Sequence, residues 1–207
     1  MIIQPIVEGQ GEEVAVPLLL RRLQDAAQAW GFEIGKPHRR RRTQLVKKDY
    51  LQSAVRVAAL RENCAGILIL FDADDDCPGE SAPTLEHWAQ EAAGEIPCAV
   101  VMANREYEAW FLASIEALRG RAGIVPNAVP PPHPEVLRDA KSALERCMAQ
   151  GASYSPTVDQ AALTEYLDLE RVYRRCRSFR KLVSAFGALA AAAGVAPAVW
   201  PPAAWVS

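Results

Sequence analysis

Four acids fall within five positions at Asp72-Ala-Asp-Asp-Asp76, directly after the run Gly66-Ile-Leu-Ile-Leu-Phe71. Branched and aromatic residues over strand length, without polar alternation, predict a strand buried on both faces in a parallel sheet. Acids at the C-terminal end of such a strand stand where open α/β sheets bind their ligands. If the chain stays extended, Asp72, Asp74 and Asp76 project to one side with successive carboxylates about 6.6–6.8 Å apart, and Asp75 projects to the other. Three unpaired carboxylates so placed repel one another unless a cation lies among them. Oxygen-only ligands suit a hard divalent ion, Mg²⁺ or Mn²⁺.

Two more acidic pairs follow short apolar runs. Glu8 and Glu12 come after residues 2–7, and Glu106 and Glu108 after residues 98–103. Strand ends of a parallel sheet share one edge, so Glu8, Glu12, Asp72, Asp74, Asp76, Glu106 and Glu108 can converge on one metal cluster from distant parts of the chain. The competing role is helix N-terminal complementation of the macrodipole, which weighs more for Glu12 than for the aspartates, since a cap needs one carboxylate. Lys36, Arg39, Arg40, Arg41, Arg42, Lys47 and Lys48 crowd cations into a segment without apolar period. Such a loop suits a nucleic-acid phosphate backbone, with no aromatic residue interleaved for base stacking. It is equally suited to lie in solvent or to balance the acidic edge within the protein. His38, His87 and His133 have no metal spacing, and Gly9-Gln-Gly11 lacks the lysine and the spacing of a P-loop.

The elements that must position these residues follow from periodicity. Residues 2–7 predict a strand, and the glycines at 9 and 11 a tight turn. A helix follows with Val16, Leu19, Leu20, Leu23, Ala27 and Trp30 on its apolar face. Pro5 predicts an irregularity in the first strand, and Pro17 a late or kinked helix start. Residues 32–34 form a brief strand, 36–42 a loop, and 47–63 a helix with Tyr50, Leu51, Ala54, Val57, Ala58 and Leu60 as its stripe. After the acidic strand, the segment 78–83 breaks the chain before a helix over 84–93; 98–103 is a strand and 109–118 a helix. The alternation predicts an α/β fold, a mostly parallel sheet of about four strands with helices on both faces, over residues 1–128. From the proline-rich segment 129–134 onward the pattern is helical (134–148, 159–177, 179–192), a C-terminal extension packed on the sheet domain through residue 207.

With 207 residues, half of them hydrophobic, and a formal charge of −2, any nucleic-acid surface must be local. Five scattered cysteines without a C-x-x-C pair argue against a disulfide framework or a structural zinc site and fit a reducing cytoplasm. No signal-peptide pattern stands at the start. The Ala-rich tail is interrupted by Gly187, Gly194 and Pro197, so no membrane association is expected.

The Glu-Gly turn after the first strand, paired with a later hydrophobic strand ending in Asp-x-Asp, resembles the Toprim fold. More closely, Val7-Glu-Gly-Gln-Gly-Glu12, Leu70-Phe-Asp-Ala-Asp74, Glu106-Tyr-Glu-Ala-Trp-Phe111, Tyr154-Ser-Pro and Ser178-Phe-Arg180 resemble an uncharacterised bacterial Toprim-like family, domain of unknown function 4276. The resemblance spans nearly the whole chain. It implies Glu8 as general acid/base or metal ligand and Asp72 with Asp74 as Mg²⁺ ligands, with Glu106 and Glu108 able to complete a second metal site. It also implies Lys141 as a transition-state cation, against the plainer reading of an exposed helix lysine. The expectation is a Mg²⁺- or Mn²⁺-dependent nuclease acting on DNA or RNA, in a bacterial defence or mobile-element setting. A separately encoded partner ATPase and a homodimer stay open. The alternatives are a non-catalytic, metal-assisted module that grips nucleic acid or a partner ATPase, and phosphoryl chemistry on nucleotides.

Overall fold

The computed structural model describes residues 1–195 and 199–206, so the break expected at Pro197 lies outside the described residues. The sheet is built from β1 (Ile2–Val7), β2 (Glu33–Ile34), β3 (His38–Arg39), β4 (Cys64–Asp72) and β5 (Cys98–Ala103). Its order is β2-β1-β4-β5 with β3 also on β1, and every pairing is parallel. The helices of the first half are α1 (Glu12–Ala27), α2 (Arg42–Leu45), α3 (Lys48–Ala59), α4 (Pro78–Ala93), α5 (Glu108–Ala113) and α6 (Ile115–Leu118). After a 3-10 turn at Pro134–Val136 come α7 (Ala140–Glu145), α8 (Pro156–Glu165), α9 (Leu169–Arg175), α10 (Arg177–Ala192) and α11 (Ala203–Val206). Among the described residues no helix is long and apolar enough to cross a membrane.

Strand alternation divides the core between the two faces of the sheet. Ile67, Ile69, Phe71, Val100 and Met102 pack with α3 and α4 on one face. Leu68, Leu70 and Val101 pack with α1, α5 and α10 on the other. The second cluster continues without a break into the C-terminal helices through Leu163, Val172, Phe179 and Phe186.

The register of β1 against β4 shifts between Ile2 and Ile3, and Pro5 itself stays in register with Leu68 while acting on the opposite neighbour. The carbonyls of Ile3 and Val7 accept from Gly35 and Arg40, so odd positions of β1 face that edge. Pro5 lacks the donor that would continue the row, and the edge strand is accordingly split into β2 and β3. The Gln4 side chain fills the gap, its Nε2 donating to the carbonyls of Pro5 at 3.1 Å and Lys36 at 2.6 Å. The fifth strand, β3, thus arises inside the segment 36–42 expected to be a loop, and the short α2 begins at its last residue.

Several helix boundaries differ from the periodicity reading. α1 starts before Pro17 and runs through it, ending where Gln28 turns left-handed at φ 51°, so Trp30 lies outside the helix and is exposed. α4 begins at Pro78 instead of Thr84, because proline in the first turn gives up no helix bond. The stripe of α3 is narrower than expected: Leu51, Ala54, Val55 and Ala58 are buried, whereas Tyr50, Val57 and Leu60 face solvent. The helix expected over 109–118 is broken at Ser114, whose hydroxyl instead accepts from the Asp168 N–H at 2.8 Å.

Candidate acidic site at the C-terminal edge of the sheet

The turn between β1 and α1 folds back on its own helix. Glu12 Oε2 accepts from the N–H groups of Glu8 at 2.8 Å and Gly9 at 3.0 Å, placing a buried carboxylate directly beside the strand end. Gly11 has an ordinary φ of −64°. Its small size is required by packing: a Cβ there would overlap the Gln160 side chain and the Pro156 carbonyl. The glycine read from sequence as a turn former is therefore the place where α8 presses against the loop.

Asp72 ends β4, and its Oδ1 accepts from the Tyr107 N–H at 2.8 Å. Tyr107 leads into α5, whose first residue, Glu108, is 1% exposed. Burial raises the carboxyls of Asp72, Glu12 and Glu108 above their ordinary range; Glu12 and Glu108 raise Asp72 further. Glu12 is pushed up to about 7. Lys141, at the start of α7, offsets this crowding, with its Nζ 3.9 Å from Glu108 Oε1. Burial alone would lower the Lys141 ammonium, but Glu108, Asp72, Glu106 and Glu12 together hold it above the usual lysine value. Glu106 positions that lysine from behind, accepting from the Lys141 N–H at 2.9 Å.

Asp74 has φ 51°, which ends the strand alternation, so Asp72, Asp74 and Asp76 do not project as one row. Arg42 takes the outer acids: its Nε lies 3.2 Å from Asp74 Oδ2, its Nη2 pairs with Asp76, and it donates to the carbonyls of Asp72 and Ala73. Asp75 pairs with Arg105 at 2.9 Å and Arg138 at 3.1 Å. Glu8 lies between the two groups, raised first by burial and then by Asp74.

The expected acids thus divide into an inner group, Glu12, Asp72 and Glu108, with Glu8 adjoining, and an outer group, Asp74 and Asp76, already paired to arginine. Glu106 serves α7. The expected basic surface is divided as well. Arg42 turns inward, Arg39 pairs with Glu13 at 3.3 Å, and Lys48 pairs with Glu91 at 3.0 Å. Arg39, Arg40, Arg41 and Gln44 frame a cleft of about 400 Å³, and Lys47 is exposed.

Two buried carboxylate oxygens, Glu8 Oε2 and Glu108 Oε2, make no close hydrogen bond among the described residues, nor do Gln160 Oε1 and the Tyr154 hydroxyl, although the main chain at Arg42 and Asp72 approaches the Glu8 carboxyl. The Tyr154 hydroxyl stands near enough to Glu108 for a long hydrogen bond between them, and burial followed by the Glu108 charge raises its phenol. Neither Tyr154 nor Gln160 carried a sequence signal of type or spacing; Tyr154 lay only inside a stretch of family resemblance. Among the described residues no three His, Cys, Asp or Glu side chains form a ready-made metal cage.

A family model described as a domain of unknown function (DUF4276) matches residues 7–186, from the end of β1 into α10. No curated protein and no solved structure matches the chain.

Proposed function

The chain belongs to the DUF4276 family, a domain of unknown function, and from its acidic edge we propose a Toprim-like, divalent-metal-dependent phosphodiesterase acting on nucleic acid. One observation carries this reading. Three carboxylates from separate segments, Glu12, Asp72 and Glu108, are buried at one strand edge, where Glu12 and Glu108 raise Asp72 and Glu108 raises Glu12, and among the described residues the Lys141 ammonium is set beside them. Burying like charges together costs stability unless a ligand offsets them.

The residues fit Mg²⁺ or Mn²⁺ by donor chemistry. All are hard oxygen donors, and Glu8 Oε2 and Glu108 Oε2 are buried without a close hydrogen bond among the described residues. Glu8, Glu12, Asp72 and Glu108 would hold the ion, with Asp74 beside them. Bound there, the metal would activate water and offset charge on a phosphoryl group. The protein's own contributions are then distinct. The Tyr107 N–H orients Asp72, the N–H groups of Glu8 and Gly9 orient Glu12, and Glu8 serves either as a fourth ligand or, when it stays off the ion, as the group that accepts a proton. The Lys141 ammonium faces the cluster and would stabilise developing negative charge on a phosphoryl oxygen. Arg39, Arg40 and Arg41 line a cleft suited to a backbone phosphate, with Lys47 and Lys48 on the same basic segment.

The test is hydrolysis of single- and double-stranded DNA and RNA by the full chain, with Mg²⁺ or Mn²⁺, against Asp72→Asn. This variant keeps the acceptor for the Tyr107 N–H and removes the charge. Metal-dependent cleavage abolished by the substitution supports the reading; no cleavage of any substrate with either metal overturns it. A second reading, a non-catalytic module that grips nucleic acid or a partner ATPase, is favoured by Arg42, which already neutralises Asp74 and Asp76. Binding without turnover, unaffected by Asp72→Asn, selects it.

A further inference from the structure

The buried Glu108 carboxyl meets the C-terminal half of the chain at two residues. Its Oε1 lies 3.9 Å from the Lys141 ammonium at the start of α7. The Tyr154 hydroxyl, from the segment between α7 and α8, stands within reach of a long hydrogen bond to the same carboxyl. Glu108 Oε2 and the Tyr154 hydroxyl are both buried without a close partner among the described residues. The two are opposite in kind, since an ionised carboxylate only accepts and a phenol has a proton to give. Tyr107, the other buried phenol of this region, is bonded to the Thr164 hydroxyl at 3.1 Å.

Tyr154 is held in place from several sides. Before it, Ile124 and Met148 pair as an antiparallel bridge, and the Ala149 N–H donates to the Gly123 carbonyl at 2.9 Å. The Tyr154 N–H donates to Glu145 Oε1 at 3.3 Å, and the Ser155 N–H to Asp159 Oδ2 at 2.7 Å. Pro156 opens α8, and its carbonyl lies against Gly11, which directly precedes Glu12. Residues 154–156 therefore touch both the turn that carries Glu12 and the side chain of Glu108. The Tyr154 ring packs on the larger core cluster, so the ring is fixed while its oxygen is left unsatisfied. Folding does not explain that oxygen: phenylalanine would fill the same volume without a buried polar atom to desolvate.

Metal coordination does explain it. Carboxylates that ligate an ion are themselves held by outer hydrogen bonds, whose loss typically lowers metal affinity by about 10–100-fold. We propose that Tyr154 is a positioning residue of the acidic site, its hydroxyl donating to Glu108 and fixing that carboxylate for a divalent cation shared with Glu12 and Asp72. The inference rests on the metal site of the phosphodiesterase reading and extends that site into the α7–α8 segment. A carboxylate oxygen has two lone pairs, so it can accept from the phenol and face an ion together. Charge-assisted O–H···O bonds run about 2.5–2.7 Å, so the long contact should close when the ion is bound.

The experiment measures Mn²⁺ uptake by the full chain from the loss of the free-ion electron paramagnetic resonance signal, for wild type, Tyr154→Phe and Asp72→Asn, with thermal unfolding of each in EDTA. Tyr154→Phe is expected to weaken Mn²⁺ binding about tenfold or more. Its melting temperature in EDTA should equal or exceed that of wild type, because the hydroxyl it removes makes no close bond there. Mn²⁺ should also give wild type a tyrosine ultraviolet difference band that Tyr154→Phe lacks. Undiminished Mn²⁺ affinity in Tyr154→Phe overturns the assignment, and so does a lower melting temperature in EDTA, which would give the hydroxyl a structural role instead. Cleavage lost in Asp72→Asn, with Tyr154→Phe binding Mn²⁺ as tightly as wild type, overturns this inference and leaves the phosphodiesterase reading standing. Weakened Mn²⁺ binding in Tyr154→Phe by a chain that cleaves nothing does the reverse. A wild-type chain that takes up no Mn²⁺ overturns both.

Discussion

The Asp72 carboxylate accepts a hydrogen bond from the Tyr107 main-chain N–H at 2.8 Å, tying the end of β4 to the residue that leads into α5. Glu108 follows Tyr107 directly, so this one bond holds two buried carboxylates near each other. Four predictions follow from that crowding and from the contacts that frame it.

Stability should fall as pH rises through the neutral range. Glu12, Asp72 and Glu108 bind protons more tightly folded than unfolded, so their contribution is full below about 4.5 and lost as pH climbs through the raised folded values, about 7 for Glu12. The loss is on the order of 3 kcal/mol for Glu12. Urea denaturation across this window measures it, and Mn²⁺ should reverse the decline at neutral pH. A flat profile would count against the buried cluster.

Lys141→Met removes the ammonium from the inner acids. Because Lys141 is 47% exposed, the cost should be about 1 kcal/mol near neutrality, the upper range for solvent-screened pairs. At acidic pH the cost should shrink as the carboxyls take up protons. Thermal melts at the two pH values, compared with Lys47→Met, provide the check.

Arg42→Ala should be the most damaging change in the basic segment. The guanidinium is 18% exposed and holds two carbonyls and two carboxylates, so its loss should cost about 2–3 kcal/mol. Arg41→Ala, with no side-chain partner among the described residues, should stay within about 0.5 kcal/mol. Equal denaturation midpoints for the two variants would refute the assignment of Arg42 to the acidic edge.

Gly11→Ala should destabilise by about 1–3 kcal/mol through overpacking against α8, since the backbone conformation itself tolerates alanine. Gln160→Ala in the same chain relieves part of the overlap, and a double-mutant cycle reads the coupling. Additive effects would show that the contact does not carry the cost.

Sequence alone determined the parallel α/β architecture, the strand that ends at Asp72 and the shared edge of the acidic strand ends. Those features depend on local period and on the chain order of strands and helices, which are written in residue types. It also pointed to Pro5, whose missing donor splits the edge into β2 and β3, while the register shift of β1 against β4 falls nearer the strand start, between Ile2 and Ile3. Tertiary structure decided which acids are buried together and which are already neutralised. One left-handed residue, Asp74, ends the alternation that would have aligned Asp72, Asp74 and Asp76. Arg42 reaches the outer acids from about thirty residues away, and Tyr154 and Gln160 arrive from the C-terminal half. Burial, ion pairing and unpartnered oxygens are properties of what packs against a side chain. No spacing within one segment can specify them.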